Sequence, residues 1–372
     1  MRRYETPGRR PRTHRRNCLE GDNVTICYHD IVVTGVAAIS PAGVGTGPLM
    51  RALEEGVSRL TPVPEELLGE AGYHWGKAEG FRAADFISPL KARKLDRCSL
   101  LAVAATGLAL QSARLEPGSI PPSRIGIVLG CGFGGIANAE EFLSGYFAAG
   151  AEGLVPMLFP NIVPNASASN ASIEYRLKGP NVTAIQRFCS AESAFMMAKR
   201  FIEEDRADVV ITGGVDEVFP GILKGLKAMG QLGRAGSGFS EGAGLLVLEK
   251  GDHARLRKAP VFALVEELRT IGRLSLGNEG EGYRMLLPRH LRPDVVSLSG
   301  SAPFEKGLMA RLPGTRTIDT GQVLGRSLAM GGLALAALVL NLKDGSFGTH
   351  LASSPEGPYY AIDLIGGDPV PF

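Results

Sequence analysis

Cys189 is the residue whose type and position offer the most chemistry. It stands between the strand-like run Val-Thr-Ala-Ile-Gln (182–186) and the helical run SAFMMAKRFIEE (193–204), so it falls at or near a helix N-terminus. Backbone N–H groups and the helix dipole there favour a thiolate and can also hydrogen-bond an oxyanion on a thioester carbonyl. The competing reading is a small buried hydrophobe, the common fate of a free cysteine. A second feature, Gly130-Cys131-Gly132-Phe133-Gly134-Gly135, satisfies the glycine spacing of a dinucleotide site after a strand and before a helix. The acidic residue which that fingerprint needs about twenty positions later, at the end of a second strand, is missing. The glycines therefore read as a tight strand-to-helix crossing.

The five cysteines (18, 27, 98, 131, 189) form no Cys-x-x-Cys pair and no Cys/His run for a structural zinc site, which fits a reducing compartment. No metal or cofactor is expected. At 372 residues, 44% hydrophobic and 21% charged, the chain has enough apolar material for two core-forming units or one duplicated α/β unit. Its net charge of +2 is uneven: the first seventeen residues carry seven Arg and one Glu, so the remainder carries −4. The basic arm has neither aromatic interleaving nor an amphipathic period. It reads as a disordered tail or an over-long gene start, not as a nucleic-acid surface. No secretory or twin-arginine pattern follows the paired arginines, and the longest apolar stretch, Leu328–Leu340, is too short to span a bilayer. The expected location is the cytoplasm, with neither nucleic acid nor membrane as a partner.

The elements that must position Cys189 alternate as strands and helices from residue 31 onward, which predicts α/β layers. Strands are expected at 31–40, 124–130, 207–214, 242–250, 261–272, 293–300 and 359–367, and helices at 47–56, 100–115, near 137–149 and 190–204, and within 320–342. The charged, Pro-containing stretch between 250 and 260 marks a boundary. The expected division is a tail over 1–28, a first half over 29–255 carrying the elbow at Cys189, and a shorter second half over 256–372. Two halves of similar grammar suggest duplication.

The segments GVAAISPAG (35–43), Pro164-Asn165, LKGPN (177–181), the Cys-containing helix start, DVVITGG (208–214), GFSEGAG (238–244) and TGQVLG (320–325) follow one another in a known order. Over roughly residues 30–345 this order resembles that of β-ketoacyl-(acyl carrier protein) synthases of the thiolase superfamily. The resemblance implies a duplicated five-layer α-β-α-β-α fold, with a dimer interface beside the nucleophile strand. It also implies work on acyl thioesters borne by an acyl carrier protein.

The family's reaction uses a Cys nucleophile and two His that promote loss of CO2 and stabilise the enolate. Counted seven residues on from Asn181, or twenty back from Asp208, the nucleophile position falls on Phe188. Cys189 is one residue late, a shift that turns a side chain away by roughly 100° on a helix or 180° on a strand. The first His position matches Ser299 in Ser297–Pro303, the second matches Gln322, and the Lys of the second motif falls on Thr317. No imidazole remains at these places, and the six His (14, 29, 74, 253, 290, 350) match no catalytic position of the family. Neutral Ser and Gln do not titrate near neutral pH and cannot replace imidazole.

The family's glycine-rich gating loop is expected to survive only as Leu364–Asp368. Glu192, where the family has a small or apolar residue, is expected to cap the helix. Phe195 and Met196, with Met197, are expected to border the acyl channel and set how much chain it holds. Two readings stay open. In one, the chain is a degenerate family member that pairs with an active ketosynthase, or with itself, like a chain-length-factor subunit. In the other, Cys189 accepts an acyl group from a carrier and passes it on without decarboxylation. A residual carrier-binding module would show a basic patch, to which Arg311 and Arg316 could contribute.

Overall fold

The computed structural model describes residues 30–116, 118–234, 237–275, 277–287, 292–299, 303–355 and 357–368. The basic N-terminal segment lies outside the described residues.

Ten strands carry the architecture: β1 (Ile31–Ser40), β2 (Ile125–Gly130), β3 (Asn181–Ala184), β4 (Val209–Asp216), β5 (Gly242–Lys250), β6 (Ala263–Ile271), β7 (Val295–Leu298), β8 (Arg316–Asp319), β9 (Phe347–Ser353) and β10 (Tyr359–Gly366). The first five pair in the spatial order β3-β2-β4-β5-β1 and the last five in the order β8-β7-β9-β10-β6. Numbered within each half, both orders read 3-2-4-5-1. The sense of pairing repeats as well. β2 is parallel to β3 and β4 while β5 runs antiparallel to β4 and β1, and β7 is parallel to β8 and β9 while β10 runs antiparallel to β9 and β6. The two five-stranded arrays join edge to edge through β1 and β6, where Val32 faces Leu264 and Val33 faces Ala263.

The helices supply the other three layers. α1 (Arg97–Ser112) is buried along most of its length and packs on β1, β5 and β4, with the helix Ala166–Tyr175 beside it. On the far side, the helices Glu279–Leu286 and Pro303–Met309 cover the second array, with Leu286, Phe304 and Leu308 packed on Val296, Leu298, Leu351 and Tyr359. Between the arrays run α2 (Ser190–Glu203) and α3 (Gly331–Asn341). α2 lies on β4 and β2, whereas α3, from the second half, touches β5 and β4 of the first half as well as β7 and β9 of its own. This is the five-layer thiolase-like α/β fold.

Strands buried on both faces read as continuous apolar runs, which is why β1, β2, β5 and β10 are visible in the sequence. The two central helices come close enough to the strands for backbone to meet backbone. A Cβ built on Gly130 would overlap the first turn of α2, one on Gly214 would overlap the carbonyl of Ala329, and one on Gly244 would overlap the backbone at Gly332. The crossing expected of the glycine run at 130–135 is therefore a packing requirement, and Gly135 also takes the left-handed conformation at φ 77°.

Candidate active site at the elbow

β3 runs into α2 through Ile185–Cys189. Ser190 ties the turn: its Oγ accepts from the Gln186 N–H at 2.9 Å and donates to the Arg187 carbonyl at 2.7 Å. Between them Arg187 adopts φ 51°, a left-handed conformation that costs a non-glycine residue on the order of 1 kcal/mol. The turn sends consecutive side chains to opposite sides. Phe188 is half-buried and joins Phe133, Phe219 and Trp75 on the cluster of Val218, Ile222 and Phe239, within the first half. Cys189 turns the other way, toward β9 and β10, and packs with Ala352, Tyr360, Met196 and Leu268.

Cys189 occupies the N-cap of α2, as its place in the sequence predicts, but its thiol is 0% exposed and donates to the Pro358 carbonyl at 3.3 Å. Burial, followed by the neighbouring Glu192 carboxyl, pushes its pKa well above the ordinary thiol value. That is the opposite of what the helix terminus alone would do, because desolvation of the thiolate outweighs the dipole. In the folded protein Cys189 should resist iodoacetamide at pH 7.5, and after unfolding it should react at the rate of an ordinary cysteine peptide. Peptide mass mapping checks this, and rapid native alkylation at Cys189 would contradict the sealed geometry.

Two sequence-based expectations are corrected here. Glu192 does not cap α2. Its carboxyl is buried, and Oε1 lies 2.8 Å from His350 Nε2, in the space beside Gly331 where any side chain would collide with it. The other imidazole nitrogen, Nδ1, is 2.9 Å from Ser297 Oγ. Cap geometry lost to a partner 158 residues away that burial makes compulsory. The second correction concerns the gating-loop remnant. Leu364–Gly366 belong to β10, while the turn that meets the elbow is the one joining β9 to β10, through Ser354 and Pro358.

Ser299 directly follows β7, with its N–H donating to the Leu351 carbonyl at 3.3 Å. Gln322, on the helix Thr320–Leu324, and Thr317, on β8, are both exposed and line one cleft of about 700 Å³. Neither Phe188 nor Cys189 borders that cleft. Phe195 is enclosed in the central core, whereas Met196 lies beside Cys189. Glu305 connects the two regions. It lines the cleft, accepts from Ser353 Oγ at 2.9 Å, and is pushed by burial to a pKa of about 8. Arg311 stacks over Tyr283 and Arg316 donates to Asn341 Oδ1 at 2.7 Å, so both are engaged in local contacts.

Sequence reasoning missed His350, Ser297 and Glu305. β9, which carries His350, is interrupted by Gly348-Thr349-His350 and shows no apolar run. Glu305 has no local signal beyond its place in a short helix. Among the described residues no helix is long and apolar enough to cross a membrane.

Residues 29–254 match the family model for the N-terminal domain of β-ketoacyl synthases. The chain is 25% identical over 275 residues to 3-oxoacyl-[acyl-carrier-protein] synthase 2 of Staphylococcus aureus strain COL, covering 69% of this chain and 64% of that protein. It is 28% identical over 276 residues to the synthase of the same name from Vibrio cholerae, covering 69% and 65%. The chain thus spans just under two thirds of the length of these curated relatives. Among solved structures it resembles a type II polyketide ketosynthase in complex with its acyl-carrier protein (TM-score 0.78, 20% identity) and the ishigamide ketosynthase/chain length factor (TM-score 0.75, 20% identity). A β-ketoacyl synthase from Burkholderia phymatum is also similar (TM-score 0.77, 19% identity), and all three alignments cover 91% of this chain and 99% of the other. The match spans more than half of the sequence and includes the elbow just described, and on that basis the chain belongs to the β-ketoacyl synthase family.

Proposed function

We infer that this chain serves fatty-acid- or polyketide-type synthesis without performing decarboxylative condensation, and that it pairs with an active ketosynthase in the manner of a chain length factor. The observation that carries the reading is the elbow. An aromatic ring occupies the counted nucleophile position, and the adjacent thiol is enclosed and held neutral. Ser299 and Gln322 at the two histidine positions offer no titrating group. The imidazole near the elbow, His350, has both nitrogens engaged. A buried neutral thiol weighs equally against acyl transfer through Cys189, since the thiolate is the nucleophile.

The partner half of the reading rests on surface. β3 is an edge strand, and an unpaired edge invites pairing with another chain. Ile185, directly after β3, is exposed, as are Leu143, Phe147 and Phe159 in the segments that follow β2, Phe147 by 80%. Exposed apolar side chains of this kind suit an apolar interface, which for an obligate pair would exceed roughly 2,000 Å². The two halves, with their repeated strand order, would be the N- and C-terminal units divided near residue 255. An acyl carrier protein would deliver substrate to the partner's cysteine.

The test is to co-express the chain with a ketosynthase of the same system, expose the complex to an acyl-carrier thioester and to cerulenin, and measure intact masses. The expected result is a 1:1 complex acylated on the partner and unmodified on this chain. A stoichiometric adduct on Cys189 would overturn the inactive-elbow reading. Failure to form the complex, with this chain recovered only as a homodimer, would overturn the partnership.

A further inference from the structure

The cleft that Thr317 and Gln322 line is bordered by neither Phe188 nor Cys189 and has the composition of a ligand site. It opens between the helix Thr46–Glu55, the helix Pro303–Met309 and β8. We propose that it binds an amphipathic carboxylate, with the anionic end held at the mouth by Lys306 and Arg316 and the acyl chain laid on Met50, Leu298 and Met309. The proposal goes beyond the partnership inferred above and does not depend on it.

The volume, about 700 Å³, lies within the range of small-molecule pockets. Alongside its polar groups the lining has an apolar part, in which Leu298, Ile318 and Val323 are buried and the half-buried Met50 and Met309 are adaptable side chains suited to a flexible chain. Lys306 and Arg316 are exposed at the rim, and the Arg316 guanidinium is steadied by Asn341 Oδ1. Of the three acids lining the cleft, Asp319 is occupied by the Gly321 N–H at 3.0 Å, Glu54 is exposed at the rim, and Glu305 is 1% exposed.

Glu305 sharpens the ligand class. Ser353 Oγ donates to its Oε1, and Oε2 has no hydrogen-bond partner. With its pKa near 8 the carboxyl keeps its proton at neutral pH, so it can donate a hydrogen bond. An oxygen on the inner part of the chain, a hydroxyl or carbonyl, would satisfy it, and a plain hydrocarbon would not.

Calorimetric titration of the purified chain with decanoate, 10-hydroxydecanoate and acetate tests this. Decanoate should bind about a hundredfold or more tighter than acetate through its buried methylenes. The hydroxy acid should bind several-fold tighter than decanoate, and the Glu305→Leu variant should abolish that preference. The surface double variant Lys306→Glu/Arg316→Glu should weaken decanoate at least about tenfold, and Met309→Trp should block it. A control, Leu256→Ser, alters an exposed apolar side chain that does not line the cleft and should change nothing. Decanoate binding no tighter than acetate, or unaffected by Met309→Trp, would overturn the site. Equal affinity for the two ten-carbon acids would overturn the role of Glu305.

Discussion

Truncating His350 to alanine is expected to destabilise the protein by about 3–5 kcal/mol, the range for removing one partner of a fully buried charged or hydrogen-bonded pair. Both His350 and Glu192 are 0% exposed. Loss of the imidazole strands the Glu192 carboxyl, whose Oε2 already lacks a partner, and leaves Ser297 Oγ without its partner. The pair also joins the halves, since Glu192 sits in the first turn of α2 and His350 on β9. Replacing both residues by leucine should cost markedly less, because the carboxyl is removed together with the imidazole and only the Ser297 hydroxyl is left without a partner. Urea unfolding of the two single variants and the double variant measures the coupling. A loss below about 1 kcal/mol for His350→Ala would show that the pair is incidental to stability.

Stability is also expected to decline as pH rises from about 4.5 to about 8. Glu217 and Glu305 are each raised by burial from 4.5 to about 8, and Asp216 from 3.8 to about 6. Between its unfolded and folded pKa values each group is ionised in the unfolded chain and protonated in the native protein. The native state then binds more protons, and the unfolding free energy falls with slope up to about 1.4 kcal/mol per pH unit per group. The contribution of the two glutamates is complete below about 4.5 and is lost as pH climbs through about 8, and that of Asp216 is complete below about 3.8 and is lost through about 6. Glu241 and Glu249, whose pKa values are lowered by Arg97 and Arg257 against the cost of burial, act in the opposite sense only below about 4.5. Glu305→Gln should flatten the profile between pH 5 and 8 by up to that slope, read from urea midpoints at four pH values. Parallel profiles for the parent and the variant would show that Glu305 ionises as an ordinary surface carboxyl does.

Much of the fold is legible in the sequence because its central strands are buried on both faces. β1, β2, β4, β5 and β10 announce themselves as apolar runs and β6 begins as one, and their expected ends lie within two residues of the observed ones. β8 leaves little trace because Arg316-Thr317-Ile318-Asp319 forms an edge strand with three of its four side chains outside the core. β9 is masked by the polar residues it buries: Thr349 donates to Asp363 Oδ1 at 2.8 Å and His350 meets Glu192, so hydrogen bonding replaces hydrophobicity as its reason for being inside.

The elbow illustrates the same division. Counting from Asn181 and Asp208 locates Phe188, and a one-residue offset accounts for the opposite directions that Phe188 and Cys189 take. What enclosed the cysteine was out of reach, because the shielding groups, Ala352, Pro358 and Tyr360, lie more than 160 positions away. The glycines at 366–367 imitate a turn in composition while closing a strand in fact, and this displaced the gating loop by a whole element.

The bare backbone seam at Gly130, Gly214, Gly244 and Gly332 has a consequence for how the molecule comes apart. α3 belongs by sequence to the second repeat yet lies against β4 and β5 of the first, so neither repeat owns the layer that roofs it. A fragment ending near Lys258 would present naked peptide groups where a neighbour's helix had rested, with no side chains to spread over the gap. The repeat is written in strand order, but the layer between the arrays is shared, and the two are expected to unfold together.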